Sequence, residues 1–339
     1  MNTPLKIGIN GFGRIGRAAF KVLLDTPELE VVGINDLVSS ENLAYLLKYD
    51  TVYGRYPKTV DHREGTLIVD GKEYPVSQIK DPATLPWGDL GVDLVFECTG
   101  VFTQRADLEK HLQAGARRVM LSAPTKDEEI LTVVHGASDK GIDDRIISCA
   151  SCTTNCITPV IEIIGRRIGL KKAILTTIHA YTASQNLVDS PHKKPRRGRA
   201  GAANFVPTST GAAVATTKAL PQYSGLFDGV AIRAPIPVGS IADIVILTAR
   251  ATTVEEINDI FCEEAASERY DGVLGVSDEP LVSSDIVQDP RASIVDLEMT
   301  QVVDGDLVKV MSWYDNEWGY VNQMVRQAKE WAVSTLQPA

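Results

Sequence analysis

The stretch ASCTTNC at residues 150–156 places two cysteines, Cys152 and Cys156, four positions apart. Side chains at that spacing share one face of a helix. A structural zinc site would need two further ligands at suitable spacing, and the sequence has no second cysteine pair or Cys/His cluster. Redox dithiols usually have two intervening residues, whereas this pair has three. The pattern therefore favours one reactive thiol over a metal site or a redox pair.

Cys152 is the better candidate for that thiol because a helix is predicted to begin there. The predicted strand DRIISCA precedes it, and TTNCITPVIEIIGRRIG follows with helical spacing. Backbone N–H groups and the dipole at a helix N-terminus favour a thiolate and can bind an oxyanion. Cys156 lies one turn deeper, and we expect it to be a small packed side chain. We expect Cys98, Cys149 and Cys262 to be structural as well.

A thiolate nucleophile works with an imidazole, and the chain has five histidines. His179 ends the apolar run AILTTIHAYT, a predicted strand that would deliver its side chain to a sheet edge. His62 lies in a charged turn and His111 in an amphipathic helix, so both are predicted to be surface residues. A histidine at a strand end is more often structural than catalytic. Beside a cysteine at a helix start, His179 becomes the candidate base.

Three glycines, Gly11, Gly13 and Gly16, form the pattern G-x-G-x-x-G between a predicted strand and a predicted helix. In that context the glycines permit a tight turn, close approach of a pyrophosphate, and helix–strand packing. Asp36 closes the next predicted strand, 25 positions after Gly11 (36−11), near the offset of about 20 expected for a ribose-binding acid. The structural alternative is a glycine turn beside an acidic strand end. With strand, helix and acid in order, the pattern favours dinucleotide binding, and NAD over NADP.

The elements around these residues predict two kinds of sheet. The first half alternates strands and helices, which is typical of a parallel sheet with helices on both faces. Asp70-Gly71 predicts a hairpin within it, TVVHGAS (132–138) a further strand, and Thr103 the start of a helix that ends at Ala114. The second half has long alternating strands around an amphipathic helix, which favours a mostly antiparallel sheet. We therefore expect an α/β Rossmann-type doubly wound dinucleotide-binding domain and an α+β catalytic domain.

Composition excludes several classes of protein. The formal net charge of −10 argues against a nucleic-acid binder, since no overall basic field is present. No apolar run approaches the ~18 residues of a membrane span, and the N-terminus has no signal-peptide pattern. Five cysteines in 339 residues do not make a disulfide framework. The sequence predicts a cytoplasmic protein without a metal site.

Eight stretches together resemble phosphorylating glyceraldehyde-3-phosphate dehydrogenase. They occur in that family's order from residue 10 to residue 320, and ASCTTNC and HAYT are the most specific of them. The stretches are NGFGRIGR, GIND, LLKYD, ECTG, ASCTTNC, TIHAYT, PTSTGAA and WYDNEWGY. The resemblance implies that Cys152 is the nucleophile and His179 the base, in an NAD-dependent oxidation of D-glyceraldehyde 3-phosphate to 1,3-bisphosphoglycerate with inorganic phosphate.

The resemblance also implies binding residues. Thr182, Arg197 and Arg233 match ligands of the substrate phosphate, and Ser151, Thr153, Thr210 and Gly211 match ligands of the attacking phosphate. Besides the glycines and Asp36, the matched cofactor positions are Arg14, Ile15, Thr99, Ser122, Asn316 and Tyr320. The implied domains are an NAD-binding domain, 1–151, to which the C-terminal helix 318–339 returns, and a catalytic domain, 152–317. The basic run at 192–199 matches a subunit-interface loop, which implies a homotetramer.

The chain departs from the family pattern at a few positions. Cys149 stands where asparagine is common, and residues 236–239 are IPVG in place of TPNV. Ser190-Pro191 lies where the family tunes coenzyme choice, so NADP use stays open. Two alternatives also stay open: an erythrose-4-phosphate dehydrogenase of the same family, and a non-catalytic nucleotide-binding or interaction protein on the same scaffold. The intact PTSTGAA and HAYT motifs favour glyceraldehyde 3-phosphate over the former, and the complete set of reactive groups argues against the latter.

Overall fold

The computed structural model describes residues 3–138 and 144–336. Of these, residues 3–133, 144–150 and 324–336 form one compact unit, and residues 134–138 and 151–323 form a second. The C-terminal helix predicted for 318–339 begins at Trp318 and is described as far as Leu336, so its last three residues lie outside the described range. No helix in the described ranges is long and apolar enough to span a membrane.

The first unit is built on a nine-stranded sheet in the order β10-β11-β9-β8-β1-β2-β7-β6-β5. Every neighbouring pair from β10 to β7 is parallel, and β7-β6-β5 is an antiparallel meander. The elements in chain order are β1 (Leu5–Asn10), α1 (Arg14–Leu24), β2 (Leu29–Asn35), α2 (Ser40–Lys48), β3 (Tyr49–Asp50), β4 (Gly54–Arg55), β5 (Val60–Arg63), β6 (Thr66–Val69), β7 (Lys72–Ser77), α3 (Trp87–Leu90), β8 (Leu94–Glu97), α4 (Arg105–Gln113), β9 (Arg118–Leu121), β10 (Leu131–Thr132) and β11 (Ile146–Ser148).

The chain reverses its direction of travel across this sheet at β1. It passes from β1 to β2 on one side and later to β8 on the other. In open parallel sheets such a switch point leaves a crevice at the carboxyl ends of the strands, where ligands bind. The register pairs Asn10 with both Asn35 and Glu97, the last residues of the three strands. The loops that follow these strands therefore emerge side by side.

The second unit is built on a seven-stranded sheet in the order β13-β14-β12-β15-β18-β17-β16. Only the pairs β12–β14 and β16–β17 are parallel, so the predicted, mostly antiparallel sheet is present. Its core packs one face of the sheet against α5 and α7 through residues such as Ile161, Ile244, Phe261 and Val310. The elements are α5 (Cys152–Arg167), β12 (Leu170–Ala180), β13 (Val206–Ser209), α6 (Ala212–Ala219), β14 (Phe227–Ala234), β15 (Ser240–Thr248), α7 (Val254–Ala265), β16 (Leu274–Ser277), β17 (Ser293–Val303) and β18 (Leu307–Tyr314). The last helix, α8 (Trp318–Leu336), begins in this unit, and its residues from 324 onward belong to the first.

Local predictions succeeded where a turn or cap is encoded by adjacent residues. Asp70 and Gly71 both have positive φ (49° and 80°) and join β6 to β7, as the hairpin prediction requires. Two other predictions were wrong. The segment TVVHGAS is a strand only at Thr132, because its chain turns from His135 onward. Thr103 does not cap α4, which begins at Arg105.

Candidate active site

The candidate nucleophile lies at the first residue of α5, after a strained approach. Ala150 has a left-handed φ of 57°, which costs a β-carbon-bearing residue of order 1 kcal/mol. Ser151 is the N-cap, and its hydroxyl accepts a hydrogen bond from the Thr154 N–H at 3.1 Å. Because this cap uses the N–H of Thr154, the N–H groups of Cys152 and Thr153 remain directed at the Cys152 sulfur.

His179 is the partner of this thiol. It is the penultimate residue of β12, only 4% exposed, and its Nε2 lies 3.3 Å from Cys152 Sγ. That distance is within the hydrogen-bond range for sulfur, so the ring can take the thiol proton. The two residues are 27 positions apart in the chain, and the sheet and α5 bring them together.

The other ring nitrogen of His179 has two neighbours that compete for it. Nδ1 lies 2.7 Å from the Ala180 carbonyl oxygen and 2.6 Å from Arg233 Nη1. Arg233 is placed there by register, because it pairs directly with His179 across the parallel strands β12 and β14. A protonated Nδ1 donates to the carbonyl, whereas an unprotonated Nδ1 accepts from the guanidinium. The position of Arg233 therefore controls which nitrogen of His179 carries the proton.

Burial disfavours either charge of this pair alone. It raises the pKa of the Cys152 thiol, although Arg233 and the Thr153 N–H and hydroxyl act in the opposite direction. Burial, reinforced by Arg233, lowers the pKa of His179 to about 3. Proton transfer from Sγ to Nε2 creates both charges at once, 3.3 Å apart, so each stabilises the other. The pair consequently titrates as a unit rather than as two independent groups.

A buried tyrosine holds the groups around this pair. The Tyr314 hydroxyl lies 2.9 Å from Thr153 Oγ1 and 2.8 Å from Thr177 Oγ1, and its ring meets His179 edge to face at 6.0 Å. Tyr314 is only 1% exposed, and burial raises its pKa far above the ordinary phenol value, so it stays a neutral donor. It ties the first turn of α5 to β12, the strand that carries His179.

The three residues predicted to hold a substrate phosphate lie in one region of the second unit. Arg197 Nη1 donates to Ser184 Oγ at 3.1 Å, and Ser184 Oγ lies 2.9 Å from Thr182 Oγ1. Arg197 also donates from Nε to Thr208 Oγ1 at 3.1 Å. The positive charges of both Arg197 and Arg233 act on His179 to lower its pKa. Two guanidinium groups and several hydroxyls beside the candidate base suit a phosphate.

The residues predicted to hold an attacking phosphate lie at the starts of two helices. Ser151 and Thr153 belong to the first turn of α5, and Thr210 and Gly211 immediately precede α6. The Thr210 hydroxyl accepts from the Ala212 N–H at 3.1 Å, and a β-carbon at Gly211 would meet nothing within 4 Å. The two helices pack through Thr158 and Thr216, whose hydroxyls are 3.3 Å apart.

The glycine loop of the first unit fits a dinucleotide pyrophosphate. A β-carbon at Gly11 would lie 2.7 Å from the Thr99 nitrogen, and one at Gly16 would lie 2.0 Å from the Gly11 oxygen, so both positions require glycine. Gly13 differs, because a β-carbon there would meet nothing within 4 Å. It is the N-cap of α1 and provides no side-chain cap, so there is room beside it for a group at the helix N-terminus, where backbone N–H groups and the helix dipole favour an anion.

Asp36 and Arg14 border this loop in different ways. Asp36 Oδ2 accepts from the Phe12 N–H at 2.7 Å, so the carboxylate fixes the loop and remains half-exposed at the end of β2. A half-exposed carboxylate retains lone pairs for ribose hydroxyls. The Arg14 guanidinium instead lies 2.8 Å from both oxygens of Asp50. The Arg14 side chain is thus engaged within the first unit, so a cofactor contact predicted at this position would have to use its backbone.

Thr99 and Ser122 lie above a buried polar network. Glu97 Oε1 accepts from the Thr99 N–H at 2.8 Å, and the Ser122 N–H donates to the Glu97 backbone oxygen at 3.0 Å. Glu97 Oε2 lies 2.6 Å from Asn10 Nδ2 and 3.1 Å from His111 Nε2. His111 was predicted to be a surface residue and is fully buried. The amphipathic pattern of α4 did not show that the Glu97 carboxylate, on β8, would provide a buried hydrogen-bond partner for the His111 ring.

Asn316 and Tyr320 belong to the second unit, and both are buried, at 5% and 4% exposure. Asn316 lies in the turn between β18 and α8. Its Oδ1 accepts a hydrogen bond of 2.9 Å from the Ser240 hydroxyl.

Within residues 3–138 and 144–336, no group of three or more His, Cys, Asp or Glu side chains could hold a metal ion.

Sequence reasoning missed four polar residues around the reactive pair: Thr177, Ser184, Ser240 and Tyr314. Thr177 precedes His179 by two residues on β12, so the alternation of side chains along a strand could have placed both on the same face. Ser240 and Tyr314 act through contacts between distant segments, for which the local sequence has no pattern, and Ser184 lies between Thr182 and Arg197, thirteen positions further along the chain.

Comparisons with known proteins agree with this geometry. Residues 5–105 match the family model described as glyceraldehyde 3-phosphate dehydrogenase, NAD binding domain, and residues 151–316 match the C-terminal domain of the same family. The chain is 47% identical over 325 residues to glyceraldehyde-3-phosphate dehydrogenase 2 of Streptomyces avermitilis, which covers 95% of this chain and 96% of the relative. It is 46% identical over 332 residues to glyceraldehyde-3-phosphate dehydrogenase of Zymomonas mobilis, covering 97% and 98%. It is 48% identical over 330 residues to the enzyme of that name from Mycobacterium tuberculosis, covering 95% and 96%. The chain therefore belongs to the glyceraldehyde 3-phosphate dehydrogenase family, as its motifs predicted.

Proposed function

We propose that this protein oxidises D-glyceraldehyde 3-phosphate to 1,3-bisphosphoglycerate, using NAD and inorganic phosphate. The observation that carries the proposal is the Cys152–His179 pair, 3.3 Å apart at the start of α5. Family membership and the nearby hydroxyl and guanidinium groups support the substrate class. We assign NAD binding to residues 1–151 and the chemistry to residues 152–317.

The first step is attack by the Cys152 sulfur on the aldehyde carbon, with the thiol proton taken by His179 Nε2. The new oxyanion faces the Cys152 N–H and the protonated imidazole, both donors to developing negative charge. The product of this step is a hemithioacetal on Cys152. The ring must then act as a base again, which requires that it return its proton to the oxyanion first.

In the second step His179 removes the hemithioacetal hydroxyl proton while a hydride leaves the same carbon. NAD, when bound, supplies the hydride acceptor. Cys152 is left as a thioester. An oxygen of inorganic phosphate then attacks the thioester carbonyl, the C–S bond breaks, and the thiolate departs with the acyl phosphate as product. Ser151, Thr153, Thr210 and Gly211 are the groups we assign to the attacking phosphate.

Arg233, Arg197 and Thr182 are the groups we assign to the phosphate that the substrate carries. An anion there would draw Arg233 from its position 2.6 Å from His179 Nδ1 and offset its charge. Both effects favour a proton on Nδ1, which then donates to the Ala180 carbonyl at 2.7 Å and leaves Nε2 able to accept the thiol proton. Substrate binding would thus increase the fraction of His179 that can accept the thiol proton, a fraction that is also present without substrate because the Ala180 carbonyl contacts Nδ1 in the unliganded protein.

We further propose that the protein acts as a homotetramer in the cytoplasm. Apolar side chains remain exposed on the second unit of the single chain, including Ile174 (59%) and Val303 (59%) on the sheet and Leu187 (80%) and Phe205 (71%) on the long connection after β12. Exposed apolar surface of this kind is typical of subunit interfaces. Analytical ultracentrifugation tests this proposal, and a monomer at micromolar concentration would contradict it.

The test of function is NADH formation from glyceraldehyde 3-phosphate, with and without inorganic phosphate. Cys152→Ala removes the nucleophile, and Cys156→Ala is the matched control because this thiol is fully buried one turn along the same helix. We expect phosphate-dependent turnover in the wild type and in Cys156→Ala, and none in Cys152→Ala. Equal activity in Cys152→Ala would refute the mechanism.

The same assay decides between glyceraldehyde 3-phosphate and the longer erythrose 4-phosphate. Gly239 has a φ of 86°, and a β-carbon there would lie 2.3 Å from the Ser283 oxygen, so the unusual 236–239 segment is fixed by close packing. A higher kcat/KM with erythrose 4-phosphate would assign the alternative substrate. NADP is run alongside NAD, since Ser190-Pro191 leaves coenzyme strictness open.

A further inference from the structure

Ser240 is a buried residue of the second unit that the mechanism above does not use. It begins β15 and is only 1% exposed. Its hydroxyl oxygen accepts the Ala180 N–H at 3.2 Å, and its hydroxyl donates to Asn316 Oδ1 at 2.9 Å. Ala180 is the residue whose carbonyl oxygen is shared by His179 and Arg233. One hydroxyl thus joins the end of β12 to the Asn316 side chain.

The directions of these two hydrogen bonds are not interchangeable. A backbone N–H can only donate, so the Ser240 oxygen must accept from Ala180. A serine hydroxyl has a single hydrogen, which is then left for Asn316. The atom of Asn316 that faces Ser240 is therefore its oxygen, because an NH₂ group there would leave the buried hydroxyl hydrogen without an acceptor among the described residues. The backbone of β12 in this way determines which end of the Asn316 amide points inward.

The opposite end of that amide is a donor without a partner. Across the described residues, Asn316 Nδ2 has no hydrogen-bond partner. The backbone of the turn is fixed separately, since Asp315 accepts the N–H groups of Glu317 and Trp318 at 2.8 Å each and that of Gln288 at 2.8 Å. Only the rotation of the Asn316 amide remains to be set, and Ser240 is the group that sets it.

We propose that Ser240 is a positioning residue that holds the Asn316 NH₂ outward, so that the site recognises the carbonyl oxygen of the nicotinamide carboxamide rather than its amino group. The inference rests on the proposed function, because it requires that Asn316 meet the nicotinamide. It predicts a specificity that depends on one buried hydroxyl. A cofactor analogue that keeps the carbonyl oxygen is accepted, and one that replaces it by a weak acceptor is discriminated against.

The test measures cofactor binding by isothermal titration calorimetry on the full-length protein, so it does not depend on turnover. The probes are NAD, its 3-acetylpyridine analogue, which keeps the carbonyl but lacks the amino group, and its thionicotinamide analogue, in which sulfur replaces the carbonyl oxygen. In the wild type we expect the acetylpyridine analogue to bind within about threefold of NAD and the thionicotinamide analogue about tenfold more weakly, as for loss of one good acceptor.

The variant is Ser240→Ala, and Ser312→Ala is the matched control. Ser312 is also a fully buried serine of the same sheet, whose hydroxyl contacts only Ser293 at 2.7 Å among the described side chains. In Ser240→Ala the Kd for NAD should rise by about tenfold and the NAD-to-thionicotinamide ratio should fall towards one, because the amide can turn over. In Ser312→Ala the wild-type ratio should persist, even if stability falls.

Three results would overturn the inference. They are a wild-type ratio retained in Ser240→Ala, the same loss of ratio in Ser312→Ala, and a wild type that binds NAD and its thionicotinamide analogue equally well. Failure of the proposed function is a different result: NAD binds with the expected ratios, but no phosphate-dependent NADH forms from either sugar phosphate. The binding and turnover assays therefore separate the two claims.

Discussion

Replacement of His179 by asparagine tests the central pair of the site. Asparagine is chosen because its Oδ1 lies near the position of the imidazole Nδ1 and can still accept from Arg233, which approaches that nitrogen to 2.6 Å. The variant lacks Nε2, the atom 3.3 Å from Cys152 Sγ. It therefore deletes the base and leaves the guanidinium with a partner.

The expected effect on Cys152 follows from its burial. Without the imidazole no counter-ion is formed when the thiol ionises, and burial raises the pKa of Cys152 above its ordinary value. A thiol of ordinary pKa is only about 3% ionised at pH 7, and each further unit lowers that fraction tenfold. A more basic thiolate is intrinsically more nucleophilic, which offsets about half of this loss on a logarithmic scale. We expect alkylation at pH 7 to slow by about ten- to a hundredfold, and turnover by about 10²–10⁴-fold.

The assay is the second-order rate of alkylation by iodoacetamide between pH 6 and pH 10, without cofactor, with the modified cysteine identified by mass spectrometry. The gap between wild type and variant should close as pH rises, because the variant thiol then ionises unaided. His62→Asn is the control, since His62 is an exposed residue of the first unit. Equal rates at pH 7, or a gap that does not change with pH, would refute the reasoning.

Three further results are expected from the packing. Gly16→Ala should lower the unfolding temperature, because its β-carbon would lie 2.0 Å from the Gly11 oxygen. Gly13→Ala should lower that temperature much less, since its β-carbon would meet nothing within 4 Å and only the N-cap preference for glycine over alanine is lost, but it should weaken NAD binding in calorimetry. Glu264→Gln should lower the free energy of unfolding by about 1–3 kcal/mol at pH 7. Burial raises the pKa of Glu264, but hydrogen bonds from Arg166 and Arg167 outweigh it, and the pKa lies below 4.5. The carboxylate is therefore charged above that pH, and the difference from wild type in urea denaturation should persist there. The difference should disappear as pH falls through the lowered pKa, because Glu264 is then protonated. Cys156, whose pKa burial raises to about 12, should be alkylated only after denaturation.

The sequence predicted those parts of the site that depend on one segment. ASCTTNC contains both the N-cap, Ser151, and the nucleophile, so the helix start could be located from adjacent residues. The glycine loop is similar, since Gly11 and Gly16 meet within one turn of chain. In both places local backbone geometry and function impose the same residues, and a pattern is therefore visible.

The missed parts depend on contacts between distant segments. The start of α4 is an example, because the Arg105 N–H is bound at 2.8 Å by Asp127, 22 positions later, and not by the neighbouring Thr103. His111 was misplaced for the same reason, since its partners Trp87 and Glu97 lie on other elements. A helix pattern indicates which residues share a face, but it does not indicate which buried polar groups that face will meet.

The arrangement around His179 explains why such distant contacts matter for chemistry. Its ring must act as base, acid and oxyanion donor in turn. The first role needs an unprotonated Nε2, and the other two need a proton on that nitrogen. The charge of Arg233, the Ala180 carbonyl and the Cys152 sulfur each favour one of these states, and all three contact the ring directly. Burial removes water as a competing partner. The protonation state of the ring then follows whichever neighbour changes, and the neighbour that a phosphorylated substrate changes is Arg233.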